Sequence, residues 1–144
     1  MVQPDLAFFG QKDLQQTVVI KRMVKDLNLP VDIAVVPTLR EPDGLALSSR
    51  NVYLSPDERK RALCISLGLF AAEAAFLAGD RDIASLLTRA TECLWGVDEL
   101  QYCELVDAQD LEPLVGRLDR AAAICVAAYV GSTRLIDNIL LNPN

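Results

Sequence analysis

Leu6-Ala7-Phe8-Phe9-Gly10, the segment Gln11 to Asn28, and Val31-Asp32-Ile33-Ala34-Val35-Val36-Pro37 together decide the fold. The first is a short apolar run ending at a glycine, the pattern of a buried strand that enters a turn. In the middle segment Ile20, Met23, Val24 and Leu27 recur at i, i+3, i+4 and i+7, which predicts one apolar helix face. Pro30 stops that helix, and the second run, rich in β-branched residues, is closed by Pro37. Strand, helix and strand in this order predict a βαβ unit with parallel strands and a right-handed crossover. Two parallel strands cannot cover both of their faces, so the unit reads as the end of a larger sheet.

Working outward, Leu39 to Leu54 is polar and irregular, with Pro42, Gly44 and the run Ser48-Ser49-Arg50-Asn51. A loop of that length inside a compact protein is functional or disordered. Ser55-Pro56-Asp57-Glu58 then opens a helix: Ser55 suits the N-cap, Pro56 the first helical position, and Glu58 completes a capping box. That helix is expected to run to about Ala78, with Gly79 closing it. Asp80 is expected to cap a second helix from Arg81 to about Trp95, ended by Gly96. Leu100 to Val106 alternates as a strand, and Asp107 to Pro113 reads as a loop with a helical turn. Arg120 to Val130 and Thr133 to Leu141 read as a hairpin turning at Gly131-Ser132. The fold class is therefore α/β: a βαβ unit followed by a small α+β module of two helices and about three antiparallel strands. The boundary falls within residues 38–54, which gives domains of residues 1–50 and 51–144.

Composition narrows the chemistry. The 144 residues are 51% hydrophobic and 24% charged, enough for one core and unlike a disordered chain. Fourteen Lys plus Arg against twenty Asp plus Glu leave a net charge of −6, which argues against a nucleic-acid partner but not against a small anion at a locally basic site. No apolar run is long enough to span a membrane, and Met1 to Asp5 carries no basic leader. Histidine is absent, so the chain holds no Ser-His-Asp or Cys-His pair and no histidine-based zinc site. Cys64, Cys93, Cys103 and Cys125 form no C-x-x-C pair and sit mostly among apolar neighbours, as reduced structural thiols of a cytoplasmic protein would.

The glycines are too far apart for either glycine-rich phosphate loop. Two polar segments remain, each beside the C-terminal end of a predicted parallel strand, where open α/β sheets bind ligands. In Gly10-Gln11-Lys12-Asp13-Leu14-Gln15-Gln16, the glycine admits close backbone approach, the helix N-terminus favours an anion, and Lys12 adds a point charge. Gln16 stands one turn after Lys12 and can face the same site. The same residues also read as a plain helix start with solvated side chains. Gly44-Leu45-Ala46-Leu47-Ser48-Ser49-Arg50 supplies two hydroxyls and a guanidinium suited to phosphoryl oxygens. Its other reading is a serine-rich connector with a surface arginine.

Phe9-Gly10-Gln11-Lys12-Asp13-Leu14-Gln15-Gln16 resembles the F-G-[EQ]-K-D-[FYL]-Q-Q signature of the pantoate–β-alanine ligase family. Asp43-Gly44-Leu45-Ala46-Leu47-Ser48-Ser49-Arg50-Asn51 resembles that family's D-G-L-A-[LM]-S-S-R-N segment, and Arg134-Leu135-Ile136-Asp137-Asn138 resembles its closing motif. The resemblance implies a Rossmann-like nucleotidyltransferase fold and ATP-dependent condensation of (R)-pantoate with β-alanine through a pantoyl adenylate, releasing AMP and pyrophosphate. It implies that Gly10, Gln11, Lys12, Asp13, Leu39, Leu47, Ser48, Ser49 and Arg50 contact ATP. Lys12, Ser48, Ser49 and Arg50 would do the catalytic work, and Gln16 would hold pantoate. Magnesium is implied as the counter-ion of ATP, with no metal-ligating residue assigned in this chain.

The resemblance also carries a departure. Family members have an N-terminal half with an H-x-G-H-type motif, and this chain has no histidine. It is expected to be the C-terminal portion of such a ligase, inactive alone, from a parent that in some organisms is fused to a cytidylate kinase. The exposed edge of Leu6 to Phe9 suggests a homodimer as a further partner state. The alternative is a non-catalytic α+β interaction module derived from the same fold.

Overall fold

The computed structural model describes residues 2–143, so the outermost residue at each end of the two expected domains lies outside it. Strands β1 (Leu6–Gly10) and β2 (Asp32–Val36) pair in parallel, Leu6 opposite Asp32 and Gly10 opposite Val36, across helix α1 (Leu14–Asp26). Helices α2 (Pro56–Leu77) and α3 (Ile83–Glu92) follow, then β3 (Glu99–Asp107), β4 (Ala122–Val130) and β5 (Thr133–Leu141). These three strands form a separate antiparallel sheet in the order β3-β4-β5, with β5 at an edge.

Local chemistry explains the boundaries. The Ser55 hydroxyl accepts from the Glu58 N–H at 3.1 Å while Glu58 accepts from the Ser55 N–H at 2.9 Å, the reciprocal cap expected from the sequence. Gly79, at φ +108°, ends α2. Helix α3 is shorter than expected. Its cap is Asp82, which accepts from the Ser85 N–H at 3.2 Å, whereas Asp80 accepts from the Asp82 N–H and the Ser85 hydroxyl. Leu94–Gly96 tightens to a 3-10 turn instead of continuing α3. Residues 107–113 form the expected loop with one helical turn, the Leu111 N–H donating to the Asp107 carbonyl at 3.0 Å; the Asp107 and Asp110 side chains accept backbone N–H groups two residues on, and that local bonding keeps the turn from extending into a helix.

The core lies between α2, α3 and one face of the antiparallel sheet, with Leu69, Leu86, Leu105 and Ile124 among its fully buried side chains. Gly68 lets the two helices close: a Cβ there would stand 2.4 Å from the Ala90 carbonyl oxygen. The opposite sheet face meets α1, where Leu14 packs with Val106 and Ala123. Helix α1 departs from expectation in two ways. It starts at Leu14, after a 3-10 turn at Gln11–Asp13, and it buries Leu14 and Thr17 rather than the face of Met23 and Leu27. Met23 and Leu27 stay exposed because only the first turn of α1 reaches the antiparallel sheet.

Candidate functional site

The turn Gln11–Asp13 carries Lys12 off the end of β1. Its shape is held from afar. The Asn138 side-chain amide donates to the Gln11 carbonyl at 2.9 Å and to the Lys12 carbonyl at 3.1 Å, and its oxygen accepts from Gln11 Nε2 at 3.3 Å. Those two carbonyls would otherwise serve the first turn of an α-helix, which accounts for its late start. Asp13, the N-cap residue, makes no side-chain cap bond. At Gly10 a Cβ would meet nothing within 4 Å, leaving open approach to the backbone.

The segment 39–54 is less irregular than the sequence suggests. Arg40 and Ala46 form an antiparallel bridge, the Leu47 N–H donates to the Leu39 carbonyl at 2.8 Å, and Leu45 and Ala46 are buried. Gly44 takes φ +98° at the tip, a conformation other residues adopt at a cost. Arg59 of α2 ion-pairs with Glu41 and with Asp43, the latter at 2.8 Å. Ser48 then caps a 3-10 helix over Ser49–Tyr53 by accepting from the Arg50 N–H at 3.2 Å. Two apolar residues in a polar stretch anchor the loop and leave its Ser48–Arg50 end outward.

These two segments meet. Lys12 Nζ donates to the Leu47 carbonyl at 3.3 Å, and Arg50 Nη1 donates to the Arg134 carbonyl at 3.2 Å. Lys12, Asp13, Ser48, Ser49 and Arg50 line one cavity of about 310 Å³, floored by Arg134 to Ile136 of β5. A contiguous cavity of about 380 Å³ holds Lys12 and Gln16 together with Tyr102, Glu104 and Arg134. Burial pushes the Lys12 ammonium below the usual lysine range; Asp137 and Asp13 oppose this, and Arg50 and Arg40 add to it. Of the other candidates, Gln11 has its side chain on Asn138, and Leu39 and Leu47 are exposed beside the loop. Gly10, Gln11, Leu39 and Leu47 line neither cavity.

Asp137 and Asn138, quoted above as part of the closing motif but given no role there, adjoin the site. Both are buried, at 4% and 3% exposure, and they point to opposite faces of β5. Asp137 accepts from Arg40 twice, at 2.6 and 3.0 Å, and Arg40 also lies over the Phe70 ring, 5.0 Å from its centroid. The available signal was an acid and an amide side by side in a strand whose neighbours on both faces are apolar. All four cysteines are free thiols, and burial pushes those of Cys103 and Cys125 up to about 11 and about 12, so neither is a nucleophile at neutral pH.

The sequence profile of the Pantoate-beta-alanine ligase family matches residues 1–140. Over 142 residues the chain is 61% identical to pantothenate synthetase 1 of Bradyrhizobium diazoefficiens, covering 99% of this chain and 50% of that one. It is 50% identical to a bifunctional pantoate ligase/cytidylate kinase of Synechococcus elongatus, covering 98% of this chain and 27% of that protein. The structure aligns with crystalline pantothenate synthetase from Thermus thermophilus at a TM-score of 0.90 and 44% identity, over 99% of this chain and 51% of the other. It aligns with the Francisella tularensis ligase, solved with β,γ-ATP and β-alanine, at a TM-score of 0.62 and 31% identity, over 99% of this chain and 46% of that one. The chain thus spans about half the length of the curated pantothenate synthetases it matches, and it belongs to the pantoate–β-alanine ligase family.

Proposed function

We propose that these residues form the phosphate-handling half of a pantoate–β-alanine ligase active site, in which pantoate and ATP give pantoyl adenylate and β-alanine then gives pantothenate. One observation carries the reading: Lys12 and Ser48–Arg50, far apart in sequence, line a single cavity beside the parallel-strand ends. In the first step a pantoate carboxylate oxygen attacks the α-phosphorus of ATP and the bond to pyrophosphate breaks. In the second the β-alanine amine attacks the acyl carbon, AMP leaves and the amine sheds a proton. Lys12 and Arg50 meet the charge that builds on the phosphates, and the Ser48 and Ser49 hydroxyls donate to phosphoryl oxygens. Gly10, Gln11 and Asp13 present backbone and side-chain groups to ATP, while Leu39 and Leu47 flank its base. Gln16, in the adjoining cavity, binds pantoate by neutral hydrogen bonds.

Magnesium would accompany ATP as its counter-ion and offset the charge of its phosphates. Histidine is absent from the chain. The 144 residues by themselves therefore turn over far below ~1 s⁻¹, the low end for enzymes. The test is single-turnover pantoyl-adenylate formation in a ligase of the relatives' full length carrying this chain. Lys12→Ala and Arg50→Ala lower the adenylation rate more than pantoate affinity, whereas Gln16→Ala chiefly weakens pantoate. Unchanged pantoate affinity in Gln16→Ala would contradict that residue's role.

A further inference from the structure

We propose that Asp137 and Asn138 of β5 are positioning residues: Asn138 sets the turn that presents Lys12, and Asp137, through Arg40, sets the loop that presents Ser48–Arg50. The proposal rests on the phosphate site described above. Neighbouring strand residues point to opposite faces, so one dipeptide at a sheet edge can grip two segments at once. Asn138 spends both amide hydrogens on consecutive carbonyls of the turn, at 2.9 and 3.1 Å, leaving that turn little freedom to rotate. Asp137 grips Arg40 with both oxygens, and Arg40 Nη1 reaches on to the Gly44 carbonyl at 3.2 Å, tying the tip of the loop to the strand.

A buried ion pair adds little net stability compared with apolar residues of the same volume, but it fixes geometry. The pair lies where geometry is needed, since Lys12, Leu135, Ile136 and Asp137 surround the narrow space between turn and loop. Asp137 also faces Lys12 as a counter-charge, together with Asp13, against Arg40 and Arg50, while Glu104 and Arg134 line the adjoining cavity.

Two measurements test this, the first on a ligase of the relatives' full length carrying this chain and the second on the chain. In the first, Mg-ATP is titrated against wild type, Asn138→Ala, Lys12→Ala and the double variant. Asn138→Ala weakens binding about tenfold alone and under about twofold in the Lys12→Ala background, because its effect runs through Lys12. Equal losses in both backgrounds would overturn the positioning role of Asn138. In the second, the Lys12 side chain is followed by NMR against pH without nucleotide. Asp137→Asn removes a carboxylate and lowers the Lys12 midpoint, whereas Asn138→Ala frees the turn into water and raises it. An unmoved midpoint in either variant, or shifts of the same sign, would overturn the proposal. Arg40→Gln combined with Asp137→Asn keeps a neutral pair in place, and should the single variant fold poorly it must still give a downward shift, smaller than the single variant's because the opposing Arg40 charge is lost with it. Absence of Mg-ATP binding by wild type would overturn the phosphate-site reading itself, with the Lys12 titration still deciding the positioning.

Discussion

The two ends of the molecule bury their apolar residues to different degrees. From Ser55 onward, α2 and α3 close over a three-stranded sheet, and side chains such as Leu69 and Ile124 lose all contact with water. Before it, β1 and β2 make a sheet of only two strands, with Phe8 at 66% and Leu27 at 63% exposure. The site lies along their seam, where a turn and a loop from the open part rest on edge strand β5 of the closed part. Precision in the proposed phosphate site would therefore come from the closed part, whose strand fixes segments that bury little of their own.

The largest effect that separates the regions is truncation in the core. Leu69→Ala is expected to cost about 2–5 kcal/mol by chemical denaturation, while Phe8→Ala is expected to stay within about 0.5 kcal/mol. Comparable losses at both would mean that the first region has a core of its own. Gly68→Ala forces a methyl against the Ala90 carbonyl and should cost about 1–3 kcal/mol as overpacking, read in the same experiment. A smaller effect than either core change belongs to the helix cap: Ser55→Ala removes half of a reciprocal pair at an exposed helix start and should cost about 1 kcal/mol.

Much of the closed part was legible because its signals are local. The Ser55–Glu58 box, the stop at Gly79 and the turn at Gly131 each lie within a few residues of the structure they cause. The open part misled where burial depends on partners. The stripe of Ile20, Met23, Val24 and Leu27 is genuinely periodic, yet periodicity states which residues share a face and not what covers it. The two motif segments stood out from their residue types as candidates for an anion site. Their junction was not, since Asn138 reaches Gln11 across 127 positions and Asp137 reaches Arg40 across 97. A loop read as irregular is anchored by Leu45 and Ala46, a signal that escaped because the short run Leu45-Ala46-Leu47 carries neither a helix nor a strand period.

The claim that two distant motifs make one phosphate site is tested most directly by a double-mutant cycle on Mg-ATP affinity. Lys12→Ala and Arg50→Ala each remove a charged contact worth about 1.5–3 kcal/mol, roughly a 10- to 100-fold loss of affinity. Acting on the same triphosphate, they should show a coupling of about 0.5 kcal/mol or more in the cycle. Binding that falls in one variant alone, or losses that add without coupling, would contradict a shared site.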